Sequence, residues 1–378
     1  MSLGPRPFVL VDGLKDGSLK TKLAACTGPF READWSIAHR GAPLQFPEHS
    51  REGYIAAARM GTGFVECDVT FTKDKQLVCR HSQADLHRTT NILATDLAAK
   101  CTKPFSPAKD DKPADAQCLT SDLTLSEFKS LRAKHDFANP AAASVEDYMY
   151  GAKPRSDRSF AADGTVMSHA ETLALFADLG VKFAPELKRP AVDMPFDGFS
   201  QRDYTQALVD AYKAARIPPS QVMLQSFSLE DVRYWIENEP EFGRNAIYLE
   251  SGYRNPDWSP EKPQSWAHSM EALVEMGVTA LGPPIWVLLR NDNGKIVPST
   301  YAKQARAAGL KLIAWSLERS GSLSTGGGWY YQSVADLITS DSDMLKVLDV
   351  LANDVGVAGV FSDWPATTTF FANCFDLP

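Results

Sequence analysis

At 378 residues the chain could hold two or three ordinary domains, yet a (β/α)8 barrel with its loops fills about 250 residues as a single domain. Its 44% hydrophobic and 23% charged residues exclude disorder and coiled coil. A net charge of −8 without any basic run argues against a nucleic-acid partner, and no apolar stretch reaches the ~18 to 20 residues that cross a bilayer, so no stable membrane insertion is expected.

Residues 1–34 read as an N-terminal extension that covers the bottom of a barrel or packs along its side. The start has no charged segment followed by an apolar one, so as it stands the chain reads as soluble. From Trp35 to the end, residues 35–378, β-rich runs alternate with segments of helical period. The strand candidates are Ser36–His39, Phe64–Val69, Lys182–Lys188, Val222–Phe227, Asn245–Glu250, Ala280–Ile285, Lys311–Leu317 and Gly359–Ser362. Between them lie helix candidates at Arg51–Met60, His169–Leu179, Tyr204–Arg216, Leu229–Glu239, Trp266–Met276, Thr300–Ala308 and Met344–Asp354. Gly61, Gly180, Gly277, Gly309 and Gly356 stand just past helices, where a left-handed residue ends the helix before the next strand. Eight such units predict an α/β fold, a TIM barrel.

One region breaks the rhythm. Residues 91–166 carry Pro104, Pro107, Pro113, Pro140 and Pro154 and a single short helix candidate, Leu125–Lys134, and so read as an insertion between the second and third strands. Its Cys101 and Cys118 bracket a Pro- and Lys-rich stretch of the kind a disulfide staples in an oxidising compartment. Cys26 and Cys374 form a second candidate pair, because a closed barrel brings its ends together, whereas Cys67, inside an apolar strand, reads as an incidental buried thiol. The cysteines favour a secreted or periplasmic protein, with a cytoplasmic one as the alternative.

In a strand, side chains at i and i+2 share a face, so Glu66 and Asp68 project together and Cys67 points away. Glu186 and Lys188 repeat that geometry on the next strand. Two glutamates and an aspartate are hard oxygen ligands, suited to one divalent cation, Mg²⁺ or Ca²⁺, with positions left for water and a phosphate. His39 and His81 end strands where barrel enzymes place reactive groups. Cleaving a phosphodiester needs a base, an acid and positive charge at the phosphoryl oxygens, and the two histidines, a cation, Arg40 and Lys188 supply all three.

With these residues the sequence resembles the glycerophosphodiester phosphodiesterase family. The shared motifs are His39-Arg40-Gly41, Pro47-Glu48, Glu66-x-Asp68-Val69, Thr72-Lys73-Asp74, His81, Leu86-x-Arg88-Thr89-Thr90 and Glu186-x-Lys188. They continue through Gln225-Ser226-Phe227, Trp315 and Asp363-x-Pro365. The resemblance implies His39 and His81 as the acid/base pair, Glu66, Asp68 and Glu186 as cation ligands, and Arg40 and Lys188 on the phosphate. Gln225, Phe227 and Trp315 would bind the substrate, while Glu48 reads as a support that orients Arg40, with a further cation contact as the alternative. It also implies hydrolysis of a small glycerophosphodiester to sn-glycerol 3-phosphate and an alcohol. Three positions depart from the family: His49 replaces an Asn, Lys75 a turn Gly, and Ser82 the Asp after the second histidine. A sphingomyelinase D-like phospholipase that stops at a cyclic phosphate is the first alternative, and a non-catalytic phosphodiester-binding barrel the second. The preferred alcohol, Mg²⁺ against Ca²⁺, proton order and oligomeric state stay open.

Overall fold

In the computed structural model, residues 1–151, 160–161 and 163–378 are described. Eight parallel strands form a closed (β/α)8 barrel: β1 (Ala33–Ala38), β2 (Thr62–Phe71), β3 (Lys182–Leu187), β4 (Gln225–Ser226), β5 (Ile247–Leu249), β6 (Ala280–Gly282), β7 (Lys311–Leu317) and β8 (Gly359–Ser362). Each lies beside its neighbours in sequence, and β1 pairs with both β8 and β2, which closes the ring.

Local chemistry sets the boundaries. Ser168, Ser200, Ser228, Ser269 and Ser299 each accept a backbone N–H in the first turn of the helix that follows, a cap worth about 1 kcal/mol. Two predicted helices start elsewhere for this reason. Ser200 begins its helix at Gln201 rather than Tyr204, and Ser269 begins one at Met270 rather than Trp266. The five glycines expected to end helices all have left-handed φ, between +70° and +86°.

The residues fall into two compact units. The first comprises Met1–His39, Ala57–Val65 and Pro219–Pro378. Its N-terminal helix Arg6–Asp12 packs along the side of the ring, where Phe8 meets Phe370 of helix Pro365–Cys374 edge-on at 5.3 Å and Arg6 pairs with Glu318. A disulfide joins Cys26 to Cys374, as expected.

The second unit comprises Arg40–Ala56 and Glu66–Pro218. Its inserted residues are better ordered than their sequence suggests. The Leu125–Lys134 helix stops at Lys129, because Arg132–Lys134 pairs as a strand with Asp163–Thr165. A hairpin of Lys103–Ser106 with Asp115–Gln117 and a helix at Val145–Tyr150 add to it. Leu86, Ile92, Phe128, Leu131 and Tyr148 bury one another here. Residues so far apart in the chain leave no period to read. Cys101 and Cys118 are bonded, as expected, and Pro154 lies outside the described residues. Cys67 is not an incidental thiol. Strand Leu77–Cys79 pairs antiparallel with β2, bringing the Cys79 Cα to 5.3 Å from that of Cys67, and the two form a third disulfide.

Candidate active site

Strand β2 supplies the first two carboxylates. Glu66 and Asp68 share one face and are 3% and 1% exposed, while Cys67 between them turns to the opposite face and its disulfide. From β3, buried Glu186 meets the Lys188 ammonium at 2.5 Å, and the same ammonium lies 3.8 Å from Asp68. The Lys188 backbone N–H donates to Val69 O, which ties the end of β3 to β2.

This crowding divides the three acids. Burial, then Asp68 and Glu186, push the Glu66 carboxyl well above its usual range. Burial also takes Glu186 up to about 7, against the pull of Lys188. For Asp68 burial acts upward too, but Lys188, His49 and Arg40 outweigh it and hold its carboxyl well below the usual range. Asp68 is thus the fixed negative charge of the group.

Arg40 and His49 both have left-handed backbones, with φ of +57° and +54°. The Arg40 conformation turns its backbone N–H onto Glu66 Oε2 at 3.0 Å and its Nη1 onto Glu48 Oε2 at 3.0 Å, while Nε lies 3.4 Å from Asp68. His49 bridges Asp68 Oδ2 at 2.9 Å and the Tyr54 hydroxyl at 2.9 Å, with its whole ring buried. It therefore positions a carboxylate, and the left-handed backbone there suits the Asn it replaces. Lys75 also carries a left-handed φ, +61°, in the turn after β2, where Thr72 Oγ1 donates to Asp74 and the Lys75 N–H to Thr72 O.

His81 follows strand Leu77–Cys79, and its ring lies with the Glu48 and Asp85 carboxylates in a group whose ligand atoms are all within 4.8 Å of one another. Burial, then the charges of Arg40 and Lys188, drive its proton affinity well below the usual value.

The first unit holds the other histidine. His39 Nδ1 lies 2.5 Å from Asp363 Oδ1, and Arg319 Nη1 donates to the second oxygen of Asp363 at 3.0 Å. An Asp363 that accepts the Nδ1 proton leaves Nε2 as the reactive nitrogen. Gln225 is buried in β4, and Phe227 stands edge-on to Trp315 with ring centres 6.1 Å apart. Trp315 donates its indole N–H to Gly282 O at 2.8 Å and is met by Tyr253 and Trp329 at 6.4 and 5.9 Å. Trp286 joins them through Tyr253 and Trp329. The glycines at 326–328 lead into a short helical stretch, Gly328–Leu337, with Trp329 outward and Tyr331 buried.

The structure thus gathers Arg40, Glu48, Glu66, Asp68, His81, Glu186 and Lys188 in one unit, and His39, Gln225, Phe227 and Trp315 in the other. Sequence reasoning missed Arg319, Asp85, Tyr253 and Trp286.

Ligand atoms of Glu66, Asp68 and Glu186 lie within 4.8 Å of one another. Among the described residues, Asp68 Oδ1 and Glu186 Oε1 are buried without a well-formed hydrogen bond, and the Lys188 ammonium lies 3.8 and 2.5 Å from them. A buried all-oxygen set with unused acceptors fits a hard divalent cation. The Glu48, His81 and Asp85 group fits one less well, since the fully buried Arg80 guanidinium acts on both of its carboxylates.

Among known proteins, the sequence pattern described as the glycerophosphoryl diester phosphodiesterase family matches residues 39–367. A protein of Arthroderma benhamiae, named an extracellular protein, is 46% identical over 248 residues, which are 64% of this chain and 100% of the relative. A glycerophosphodiester phosphodiesterase of Arabidopsis thaliana is 26% identical over 87% of this chain and 83% of its own. The structure of an Oleispira antarctica phosphodiesterase with its product sn-glycerol 3-phosphate superposes with a TM-score of 0.52 at 19% identity, over 91% of this chain and 97% of that one. Among the described residues, no helix is long and apolar enough to cross a membrane.

Proposed function

Because the chain is an enzyme belonging to the glycerophosphoryl diester phosphodiesterase family, we propose that it hydrolyses small glycerophosphodiesters, such as glycerophosphocholine or glycerophosphoethanolamine, to sn-glycerol 3-phosphate and an alcohol. The buried carboxylate group of Glu66, Asp68 and Glu186 beside Arg40 and Lys188 carries the reading. The product bound to the Oleispira antarctica phosphodiesterase supports the same reaction.

Glu66, Asp68 and Glu186 would hold one divalent cation, Mg²⁺ or Ca²⁺, which would supply positive charge to the phosphoryl group. Arg40 and Lys188 contact the phosphate, and Glu48 keeps the Arg40 fork in place. His39 is the base. Asp363 orients its ring and stabilises the imidazolium formed when Nε2 takes a proton from the glycerol 2-hydroxyl or from water. His81 is the acid. The negative charge of the bound diester offsets Arg40 and Lys188, so that His81 takes up a proton from solvent and donates it to the leaving alkoxide. If a cyclic phosphate forms first, the two histidines exchange roles for its hydrolysis. Gln225, Phe227 and Trp315 bind the organic part of the substrate. The three disulfides, with the name of the Arthroderma benhamiae relative, support a secreted or periplasmic protein.

Phosphorus NMR of glycerophosphocholine turnover with Mg²⁺ or Ca²⁺ is the test. It should give the sn-glycerol 3-phosphate signal, which chelator abolishes and which H39A and H81A each slow by about 10²- to 10⁴-fold. A cyclic phosphate that persists would establish the sphingomyelinase D-like reaction instead, and turnover indifferent to H39A and chelator would remove the catalytic assignment.

A further inference from the structure

His81 lacks the acid that usually follows it, since Ser82 occupies that position. A carboxylate nevertheless stands beside the ring. Asp85, three residues further on, is 7% exposed and shares with His81 and Glu48 the group whose ligand atoms lie within 4.8 Å of one another.

Its setting is built. Asp85 Oδ2 accepts the Ser82 backbone N–H at 3.0 Å, and Oδ1 accepts the Thr89 hydroxyl at 3.2 Å. The same hydroxyl lies 3.1 Å from Asp85 O, so Thr89 fixes the side chain and backbone of Asp85 together. This gives a physical task to Thr89 in the Leu86-x-Arg88-Thr89-Thr90 motif, which the chemistry above leaves unused. The residue preceding His81 completes the arrangement. Arg80 is fully buried, and among the described residues none of its three guanidinium nitrogens has a hydrogen-bond partner. A guanidinium in such a place is retained at high cost unless it answers a negative charge. Asp85 acts on it most strongly of the charged groups, followed by Glu48. The Arg80 backbone N–H donates to Asp68 O at 2.8 Å, which ties this segment to β2.

We propose that Asp85 is the positioning residue of His81, standing in from three residues downstream for the missing adjacent acid. The inference rests on the acid role given to His81 above. Other charges also face the two groups: Arg40, Lys188, Asp68 and Glu48 act on His81, and Arg80, Glu48 and Asp136 on Asp85. Asp85 itself is pushed by burial up to about 7, so the Arg80 charge and the Ser82 N–H are what keep a share of it ionised near neutral pH. An aspartate beside an imidazole fixes which nitrogen carries the proton and how the ring is turned, and loss of such a support costs about 10- to 100-fold at related sites.

The test is D85N in the full-length protein with its cation, folding being checked by thermal melting. It should lower kcat by about 10- to 100-fold with KM and cation affinity nearly unchanged, and alter the ¹⁵N ring signals of His81. Adding Ser82→Asp to that variant should return part of kcat and of the original ring signals. A folded D85N with unchanged kcat, or with unchanged His81 ring signals, overturns the proposal, as does a loss carried by KM or cation affinity. Should the wild-type protein cleave no glycerophosphodiester, the functional reading fails by itself, and the His81 ring signals still decide whether Asp85 positions the ring.

Discussion

Strands β2 and β3 and the strands β4 to β7 put two kinds of side chain at their ends. Along β2 and β3, Glu66, Asp68, Glu186 and Lys188 are ionisable groups with little or no exposure, each fixed by a named partner at ion-pair or hydrogen-bond distance. Along β4 to β7 the comparable positions and the loops after them hold Phe227, Tyr253, Trp286, Trp315 and Trp329, partly exposed rings packed on one another at 5.3 to 6.4 Å. The first set fixes charge in place. The second offers shape and an apolar surface. Substitutions in the first set should therefore change kcat and the pH dependence of stability, whereas substitutions in the second should change KM.

The largest effects are expected among the charges, and they separate two carboxylates on one strand. Burial and the neighbouring Asp68 and Glu186 raise the proton affinity of cation-free Glu66, so E66Q should abolish cation binding and cut kcat by at least ~10³-fold, the several kcal/mol that a bound cation supplies, while costing little of the melting temperature in chelator. D68N should lose as much activity and also destabilise the fold by roughly 1–3 kcal/mol, because it removes the ionised carboxylate that Lys188, Arg40 and His49 share. Folding raises the pKa of Glu66 and Glu186, so the native state binds more protons than the unfolded chain. In chelator, stability should then fall as pH rises from the unfolded value of 4.5 through about 7. Glu66→Gln should flatten part of that slope. Equal melting temperatures for the two variants would erase the distinction drawn between the carboxylates.

Next in size is the staple between these charges and His81. Cys67 sits between two proposed cation ligands, and Cys79 is two residues before His81, so one disulfide ties both sets to a single pair of strands. A C67S/C79S variant should lose about 3 kcal/mol of stability by the chain-entropy estimate for so short a loop, and the loss should appear as a lowered unfolding midpoint. Substituting Cys101 and Cys118 instead should lower the midpoint with less loss of kcat, because that pair staples only the insertion.

What could be read beforehand follows from the range of each signal. Glu66-x-Asp68 and Glu186-x-Lys188 were legible because a strand puts i and i+2 on one face, so two residues suffice to predict a shared direction. The barrel was legible because each βα unit repeats the same local punctuation. Cys67 was misread because its partner arrives through an antiparallel strand of three residues, too short for a pattern of its own. For Asp363 two readings stayed open, orienting a catalytic group or ending a strand, since it meets His39 from 324 positions away. The aromatic residues draw on the loops of four strands, and nothing local in the sequence joins them.

That aromatic surface gives the smallest effect. Trp329 is 42% exposed and stacks on Trp315 at an interplanar angle of 28°, so its truncation removes contact area without opening the core. W329A should raise KM by about 3- to 10-fold, the value of one ring contact, leave kcat within about twofold, and discriminate most among diesters whose alcohols differ in bulk. Trp315 differs because it is anchored to Gly282 and lies four residues before Arg319, which holds the Asp363 that orients His39. W315A should therefore lower kcat as well as raise KM. Should W329A and W315A prove alike, with KM alone affected, Trp315 would be a contact surface with no hold on the Arg319–Asp363–His39 chain, and the boundary between the aromatic and charged parts of the protein would fall between Trp315 and Arg319.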